Sequence, residues 1–312
     1  MIISASRRTD IPAFFSDWFF NRVREGYVYV RNPVNPRQIS QISLSPDVVD
    51  GIVFWTKNPR PMLDRLDGLK DYMYYFQFTL NSYGDDIEKN VPSKSRVIIP
   101  TFQRLSDMIG PERVIWRYDP IFLSPEYTVG YHIHYFEQLA KRLSQYTRQC
   151  TISFIDFYGD TAQNMHPIVA QPVPLEQQDY LAKSLAEIAH SYGLKICTCA
   201  EGIDLQEYGI EHARCIDGEL FEKLLRQPLN VRKDKNQRSE CGCIESIDIG
   251  AYNTCRNNCR YCYANHDQKI VCKNKEKHNP EFPLLIGEVG LADIVAKRKM
   301  VSFKEQQLRI DI

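Results

Sequence analysis

The sequence predicts an α/β protein whose strands align in parallel as a (β/α) barrel or partial barrel, and three observations predict it. Short β-branched or aromatic runs alternate with helix-like stretches through the first two-thirds of the chain. Polar residues gather where those strands end, the face on which parallel α/β folds carry their sites. A length of 312 residues accommodates two ordinary domains or one large barrel. No internal repeat or low-complexity segment is visible, and we read residues 1–312 as a single barrel-like domain.

In chain order, strands are expected at residues 2–5, 27–30, 52–55, 74–79, 114–118, 151–157 and 194–198, with an eighth at 246–251 placed to close the sheet. Helices are expected at 12–24, 61–69, 130–146 and 175–192. In the last of these Leu181, Leu185, Ile188 and Ala189 share one face, which should cover the outside of the sheet. The strand ends read Ser6-Arg7-Arg8-Thr9-Asp10, Arg31-Asn32-Pro33, Thr56-Lys57-Asn58-Pro59, Asp119-Pro120, Tyr158-Gly159-Asp160 and Cys199-Ala200-Glu201. Residues 1–200 therefore hold the βα units, 201–272 form a cysteine-rich, cluster-binding region, and 273–312 are a charged tail, ending in 306–312, to which no element is assigned.

Hydrophobic residues make up 43% and charged residues 25%, an ordinary globular balance that excludes disorder and collagen-like order. With 39 basic and 39 acidic residues the formal charge is zero, which argues against bulk attraction to DNA or anionic membranes. No apolar run approaches the ~18 residues of a membrane span. Arg7, Arg8 and Asp10 intervene before an apolar stretch of ~7 residues can form, so no secretory signal is expected and the reading is cytoplasmic. Ten cysteines in a reducing compartment point to metal binding or catalysis before a disulfide framework. Cys150 stands alone, whereas Cys197, Cys199, Cys215, Cys241, Cys243, Cys255, Cys259, Cys262 and Cys272 lie in the last two-fifths.

Cys255-Arg-Asn-Asn-Cys259-Arg-Tyr-Cys262 has the spacing C-x3-C-x2-C. Three thiolates on one tight loop can converge on an iron–sulfur centre, and a four-iron cluster held by three cysteines keeps one iron open to an exogenous ligand. Tyr261 would set an aromatic ring at the cluster edge. The competing reading is a structural zinc site in which His266 completes the three cysteines.

The C-x3-C-x-aromatic-C pattern, preceded by Ile247-Asp-Ile-Gly-Ala-Tyr252, resembles the cluster loop of the radical S-adenosylmethionine (SAM) superfamily. Through Ser4-Ala-Ser-Arg-Arg-Thr-Asp10, Trp55-Thr-Lys-Asn-Pro59, Trp116-Arg-Tyr-Asp-Pro120 and residues 248–265, nearly the whole chain resembles domain-of-unknown-function family 1848, a bacterial group whose C-terminal cysteines are likened to that loop. The superfamily's loop follows the first strand of its barrel; here it comes near the end. The resemblance therefore implies a circularly permuted radical-SAM-like barrel with a C-terminal cluster loop. It implies that Cys255, Cys259 and Cys262 ligate a [4Fe-4S] cluster, that SAM chelates the open iron, and that an electron from the cluster cleaves SAM to a 5′-deoxyadenosyl radical that abstracts hydrogen from a substrate. No counterpart of the superfamily's Gly-rich methionine-binding motif stands out.

Cys199, Cys215, Cys241 and Cys243 suggest a second closed centre, either another [4Fe-4S] cluster or zinc; the alternative is that Cys199 and Cys215 are small buried hydrophobes. Gly242 lets the backbone turn sharply between its two neighbours, and Cys197 is a substitute ligand. Arg7 and Arg8 offer guanidinium groups for a carboxylate or phosphate, or else pair with Asp10. Lys57 and Asn58 end the third strand and join Arg7, Arg8 and Tyr261 as cofactor-binding candidates. Arg117 and Asp119 fall on one side of the fifth strand, with Tyr118 on the other, and either pair with each other or contact SAM. Asp156, inside the sixth strand, should face the lumen, since a carboxylate within a parallel sheet is costly elsewhere; Glu201 is a further lumen carboxylate. Asp156, Arg117, Asp119 and Glu201 are the catalytic candidates. His132, His134, His166 and His190 read as ordinary hydrogen-bonding histidines.

There is no Walker loop, dinucleotide fingerprint, H-E-x-x-H or G-x-S-x-G. The expectation is a radical SAM-like enzyme acting on a small, anionic or nucleobase-like substrate, with flavodoxin or ferredoxin as electron donor and no membrane partner. Two alternatives accompany it. One is a nonradical iron–sulfur or zinc protein binding an anionic ligand. The other is a radical nucleic-acid repair enzyme that uses residues 232–238 on phosphate; that stretch otherwise reads as a solvated loop.

Overall fold

The alternating pattern resolves into eight strands that pair in parallel: β1 (Ile2–Ala5), β4 (Gly51–Thr56), β5 (Tyr74–Thr79), β6 (Val114–Ile121), β7 (Gln149–Phe154), β8 (Lys195–Cys199), β9 (Glu211–Ala213) and β10 (Ser246–Asp248). The fold was obtained as a computed structural model that describes residues 1–157 and 159–304. Tyr158, the side chain of Asp160 and residues 306–312, all named above, lie outside the described residues.

The sheet order is β10-β1-β4-β5-β6-β7-β8-β9. Parallel neighbours need crossover connections, and helices supply most of them. These are α1 (Ile11–Phe14), α2 (Ser16–Glu25), α3 (Ile99–Ile109), α4 (Val129–Leu143), α5 (Gly159–Met165) and α6 (Leu175–Ser191), with a ten-residue 3₁₀ helix at Arg60–Leu69. In α6 Leu181, Ala182, Leu185, Ala186 and Ala189 are buried, the apolar face that its spacing predicts. Strand side chains alternate between two cores. Phe54, Phe76 and Trp116 pack under the helices, whereas Ile2, Val53, Tyr75 and Ile115 pack with Ile216, Phe221 of α7 (Gly218–Leu225) and Ile244. The second face is thus covered by a segment of the chain itself. Gly51 makes this close approach possible, because a Cβ there would stand 2.1 Å from the Phe221 ring.

Among the described residues no strand pairing closes the sheet into a barrel. Residues 246–251 yield only the short strand β10, which pairs with β1, while β9 pairs with β8, so these two stand at the two ends of the strand order. The expected strand at 27–30 is also reassigned. It is β2 (Tyr27–Arg31), which joins β3 (Gln38–Ser43) and β11 (Ile294–Lys297) in a separate three-stranded sheet. Sequence reasoning missed β3, β9 and β11 because each is short or strongly polar. Part of the unassigned tail is tied down: Arg31 pairs with Asp293 at 2.8 Å, and the Trp18 indole N–H donates to the Phe282 carbonyl at 2.9 Å. Between the cysteine loop and this sheet lies α8 (Gln268–Glu276). No helix among the described residues is long and apolar enough to cross a membrane.

His132, on α4, is fully buried between the Tyr118 hydroxyl and the Phe122 carbonyl, both 2.9 Å from its ring nitrogens. Burial pushes its pKa down to about 4, so the folded chain holds it neutral while an unfolded chain protonates near 6.5. Its stability contribution is therefore present above pH 6.5 and is lost as pH falls from there through 4. The loss should reach about 3 kcal/mol, and in urea titrations His132→Gln should show a shallower acid slope over that window. Equal slopes would assign the acid sensitivity elsewhere.

Candidate functional site

The cysteine loop begins where β10 ends, and two carboxylates hold it there, Asp10 buried and Asp248 partly buried. Asp248, the last residue of β10, accepts hydrogen bonds from Ser4 Oγ (2.9 Å), Ser6 Oγ (2.5 Å), Arg7 N (2.8 Å) and Gly250 N (2.9 Å), locking the β10 and β1 ends together. Asp10 caps α1 through Ala13 N (3.0 Å) and accepts from Thr56 Oγ1 (2.7 Å), Lys57 N (2.8 Å) and Asn257 Nδ2 (3.1 Å). One carboxylate therefore joins the end of β1, the end of β4 and the cysteine loop. Asn258, with φ of +54°, turns the backbone just before Cys259, a conformation asparagine tolerates better than most residues.

Gly250 is where this junction is tightest. A Cβ there would stand 2.1 Å from Ser6 Oγ, which is already engaged with Asp248 and with Arg8 N. Gly250→Ala should cost about 1–3 kcal/mol by overpacking. A urea midpoint equal to that of the parent would refute the tight junction.

A third carboxylate supports the loop from the other side. Glu88 is buried, pairs with Lys57 at 2.8 Å and Lys94 at 2.7 Å, and accepts a short hydrogen bond from the Tyr261 hydroxyl. Burial opposes its charge, yet the two ammonium groups outweigh that and hold it at about 2. Burial likewise opposes the charge of Lys57, but Glu88 and the Cys259 sulfur raise its pKa above the ordinary amine value. The Lys57 ammonium also sits 5.4 Å from the centre of the Tyr261 ring. Backbone contacts complete the support: Arg260 N donates to the Ile87 carbonyl (2.9 Å) and Asn90 N to the Asn257 carbonyl (3.0 Å).

Cys255, Cys259 and Cys262 are half-buried free thiols. Burial raises the pKa of each, Cys259 to about 12, and the groups acting on them include Asp10, Lys57, Glu88 and one another. Beside the loop lies a cleft of about 650 Å³ lined by Asp86, Lys89, Cys259, Arg260, Asn265 and His266. That volume is in the range of small-molecule sites.

The second cysteine set also comes together. Cys199 and Cys215 sulfurs are 3.0 Å apart, and Cys243 is in hydrogen-bonding contact with Cys215 and Cys241. Hydrogen bonding by Cys243 lowers the Cys241 pKa to about 7. Cys197 and Cys150 are buried and Cys272 is exposed. Among the described residues no group of three or more His, Cys, Asp or Glu side chains is arranged so that it could hold a metal ion.

The remaining candidates fall into engaged pairs. Arg117 and Asp119 are on one side of β6 and pair with each other at 2.5 Å, and Arg117 Nη1 also reaches Cys215 Sγ at 2.9 Å. Arg7 lies over the Trp55 ring at 5.7 Å and faces Asp234 at 4.0 Å. Arg8 lies over Tyr252 at 5.1 Å and faces Asp248 at 4.0 Å. Asn58 shapes its own turn by accepting from Arg60 N at 3.3 Å. Glu201 accepts from Phe154 N at 2.8 Å, and burial pushes its pKa up to about 7.

Asp156 requires a correction. Strand β7 ends at Phe154, so Asp156 lies beyond it and not within it, exposed, where it pairs with Arg238 at 2.6 Å. The β-branched run does not mark where pairing stops. Sequence reasoning also missed Glu88 and Lys94, which carry no motif, and gave Asp248 no role. A carboxylate between Ile247 and Ile249 at the end of a strand was the available signal for Asp248.

No curated protein matches this chain. The family model described as Domain of unknown function (DUF1848) matches residues 2–264, a span that contains the Asp10, Glu88 and Asp248 supports and all three cysteines of the loop. The chain therefore belongs to the DUF1848 family.

Proposed function

We propose that the chain is a radical SAM-like enzyme in which Cys255, Cys259 and Cys262 hold a [4Fe-4S] cluster. The observation that carries this reading is the sheet order. Strand β10, late in the sequence, stands next to β1 at the edge of the sheet, followed by β4, β5, β6 and β7. Read from that edge, the strand that leads into the cysteine loop comes first, the arrangement expected of a circularly permuted partial barrel. The donor set fits the cluster: three free thiols within a stretch of eight residues in one loop, at the ends of the parallel strands.

Bound there, a reduced cluster with an open iron would supply the electron that cleaves the sulfonium of SAM. The chain's own residues do the rest by positioning. Asp10 fixes the loop backbone through Asn257, Glu88 fixes Tyr261 and Lys57, and Lys57 places a buried positive charge beside Cys259. That charge offsets thiolate charge, which lowers the cost of holding three anionic sulfurs away from water. The cleft beside Cys259 is the place we assign to SAM, and Lys89 and Arg260 on its wall suit the carboxylate of SAM or an anionic substrate. Flavodoxin or ferredoxin is the electron donor in this reading.

Anaerobically reconstituted protein, mixed with SAM and dithionite, is expected to contain iron and acid-labile sulfide and to release 5′-deoxyadenosine. Stoichiometric zinc without sulfide at the loop cysteines, or no 5′-deoxyadenosine, would overturn the reading. The nucleic-acid alternative gains no support from residues 232–238, because Arg238 pairs with Asp156 and the Lys233 ammonium donates to the Ser239 carbonyl at 2.7 Å.

A further inference from the structure

Three separate stretches of chain bring four thiols together in a chain of contacts, Cys199 to Cys215 to Cys243 to Cys241, on the second face of the sheet: Cys199 at the end of β8, Cys215 just past β9, and the pair Cys241 and Cys243 ahead of β10. We propose that this quartet is a mononuclear zinc site that clamps residues 215–244 onto the sheet. It goes beyond the radical reading and does not depend on it.

Spacing selects one ion over a second cluster. With Zn–S bonds of about 2.3 Å, a tetrahedral ion separates its sulfurs by about 3.8 Å. Cys199 and Cys215, 3.0 Å apart, need to open by less than about 1 Å to admit it. A four-iron cluster interposes iron and sulfide between its ligands and demands far wider separation.

The surroundings are those of a charged thiolate centre. Four thiolates around a divalent ion carry two negative charges, and Arg117 Nη1 lies 2.9 Å from Cys215 Sγ. The Ile216 backbone N–H donates to Cys243 Sγ at 3.4 Å, the kind of outer contact that orients a ligand. Between Cys241 and Cys243 the chain turns so tightly on Arg214 that a Cβ at Gly242 would meet Arg214 Cγ at 2.9 Å.

The clamp has an evident load. The Cys215 carbonyl accepts from Tyr75 Oη (2.7 Å) and Gln77 Nε2 (3.0 Å) of β5, and Arg117 comes from β6. An ion bound to Cys199, Cys215, Cys241 and Cys243 therefore ties β5, β6 and β8 to the segment that covers them, close to the short edge strand β9.

The test separates this site from the cluster loop by removing the latter's thiols. A Cys255→Ala, Cys259→Ala, Cys262→Ala triple variant, purified without reconstitution, is expected to retain one zinc per chain and no sulfide. Adding Cys243→Ser should release that zinc. Because Cys243→Ser can fail to fold, cobalt is exchanged into the otherwise intact chain, where the long-wavelength d–d bands and sulfur-to-cobalt charge transfer of a four-thiolate tetrahedron are expected. Iron with sulfide persisting in the triple variant would overturn the proposal, as would a metal-free protein whose four thiols react with a disulfide reagent under native conditions. Neither result bears on whether the loop cysteines carry a radical centre.

Discussion

Cys259→Ala is expected to strip iron and acid-labile sulfide from reconstituted protein and to bring 5′-deoxyadenosine formation down to the no-enzyme background. The expected loss is complete because a loop with two thiolates cannot hold the cluster that the proposed chemistry requires. The loop itself should survive. Its anchors are backbone and neighbouring side chains, among them Arg260 N on the Ile87 carbonyl, Asn257 on Asp10 and Tyr261 on Glu88; of these only Tyr261 also bonds the Cys259 sulfur, and it keeps Glu88 when that sulfur is removed. Far-ultraviolet circular dichroism should therefore match the parent. Cys150→Ala is the control: that thiol is buried in the helix-side core, far in sequence from either set, and its loss should leave iron content unchanged. Retention of iron, sulfide and SAM cleavage by Cys259→Ala would end the radical SAM reading.

Glu88→Ala should be among the most destabilising single substitutions near the site. It removes the partner of two lysines whose side chains are only 12% and 20% exposed, and it leaves the Tyr261 hydroxyl without its carboxylate. Deleting one member of a buried ion pair typically costs about 3–5 kcal/mol, because the remaining charge stays desolvated. The partial exposure of Lys94 gives it a route to solvent, so the lower end of that range is expected. Glu88→Gln, which keeps an acceptor for Tyr261, should lose less. Adding Lys57→Met to Glu88→Ala should recover part of the loss by removing the uncompensated ammonium. Urea unfolding midpoints of the three variants check this order; a Glu88→Ala variant within about 0.5 kcal/mol of the parent would show that the network is not a support.

Particular residues show where sequence reasoning reached and where it stopped. The strand at Tyr74–Thr79 and the apolar face of α6 were legible because each is a local periodicity written in consecutive residues. The pairing of Arg117 with Asp119 on one strand face followed from alternation alone. Asp156 failed because a β-branched run continues past the last paired residue, and nothing in the sequence marks where a neighbour's backbone ends. Glu88 was invisible for a different reason: its role depends on two lysines and a tyrosine brought from Lys57, Lys94 and Tyr261, one of them 173 positions away.

By itself the sequence determined the α/β class and the order of the main βα units, since these rest on local pattern and residue chemistry. Only the tertiary structure decided that β10 and β9 stand at the two ends of the strand order, that β10 stands beside β1, and that Cys199 meets Cys215 while Cys243 bonds Cys215 and Cys241. Edge pairing and convergence of distant thiols depend on packing between segments far apart in the chain, and no periodicity within any one segment encodes them.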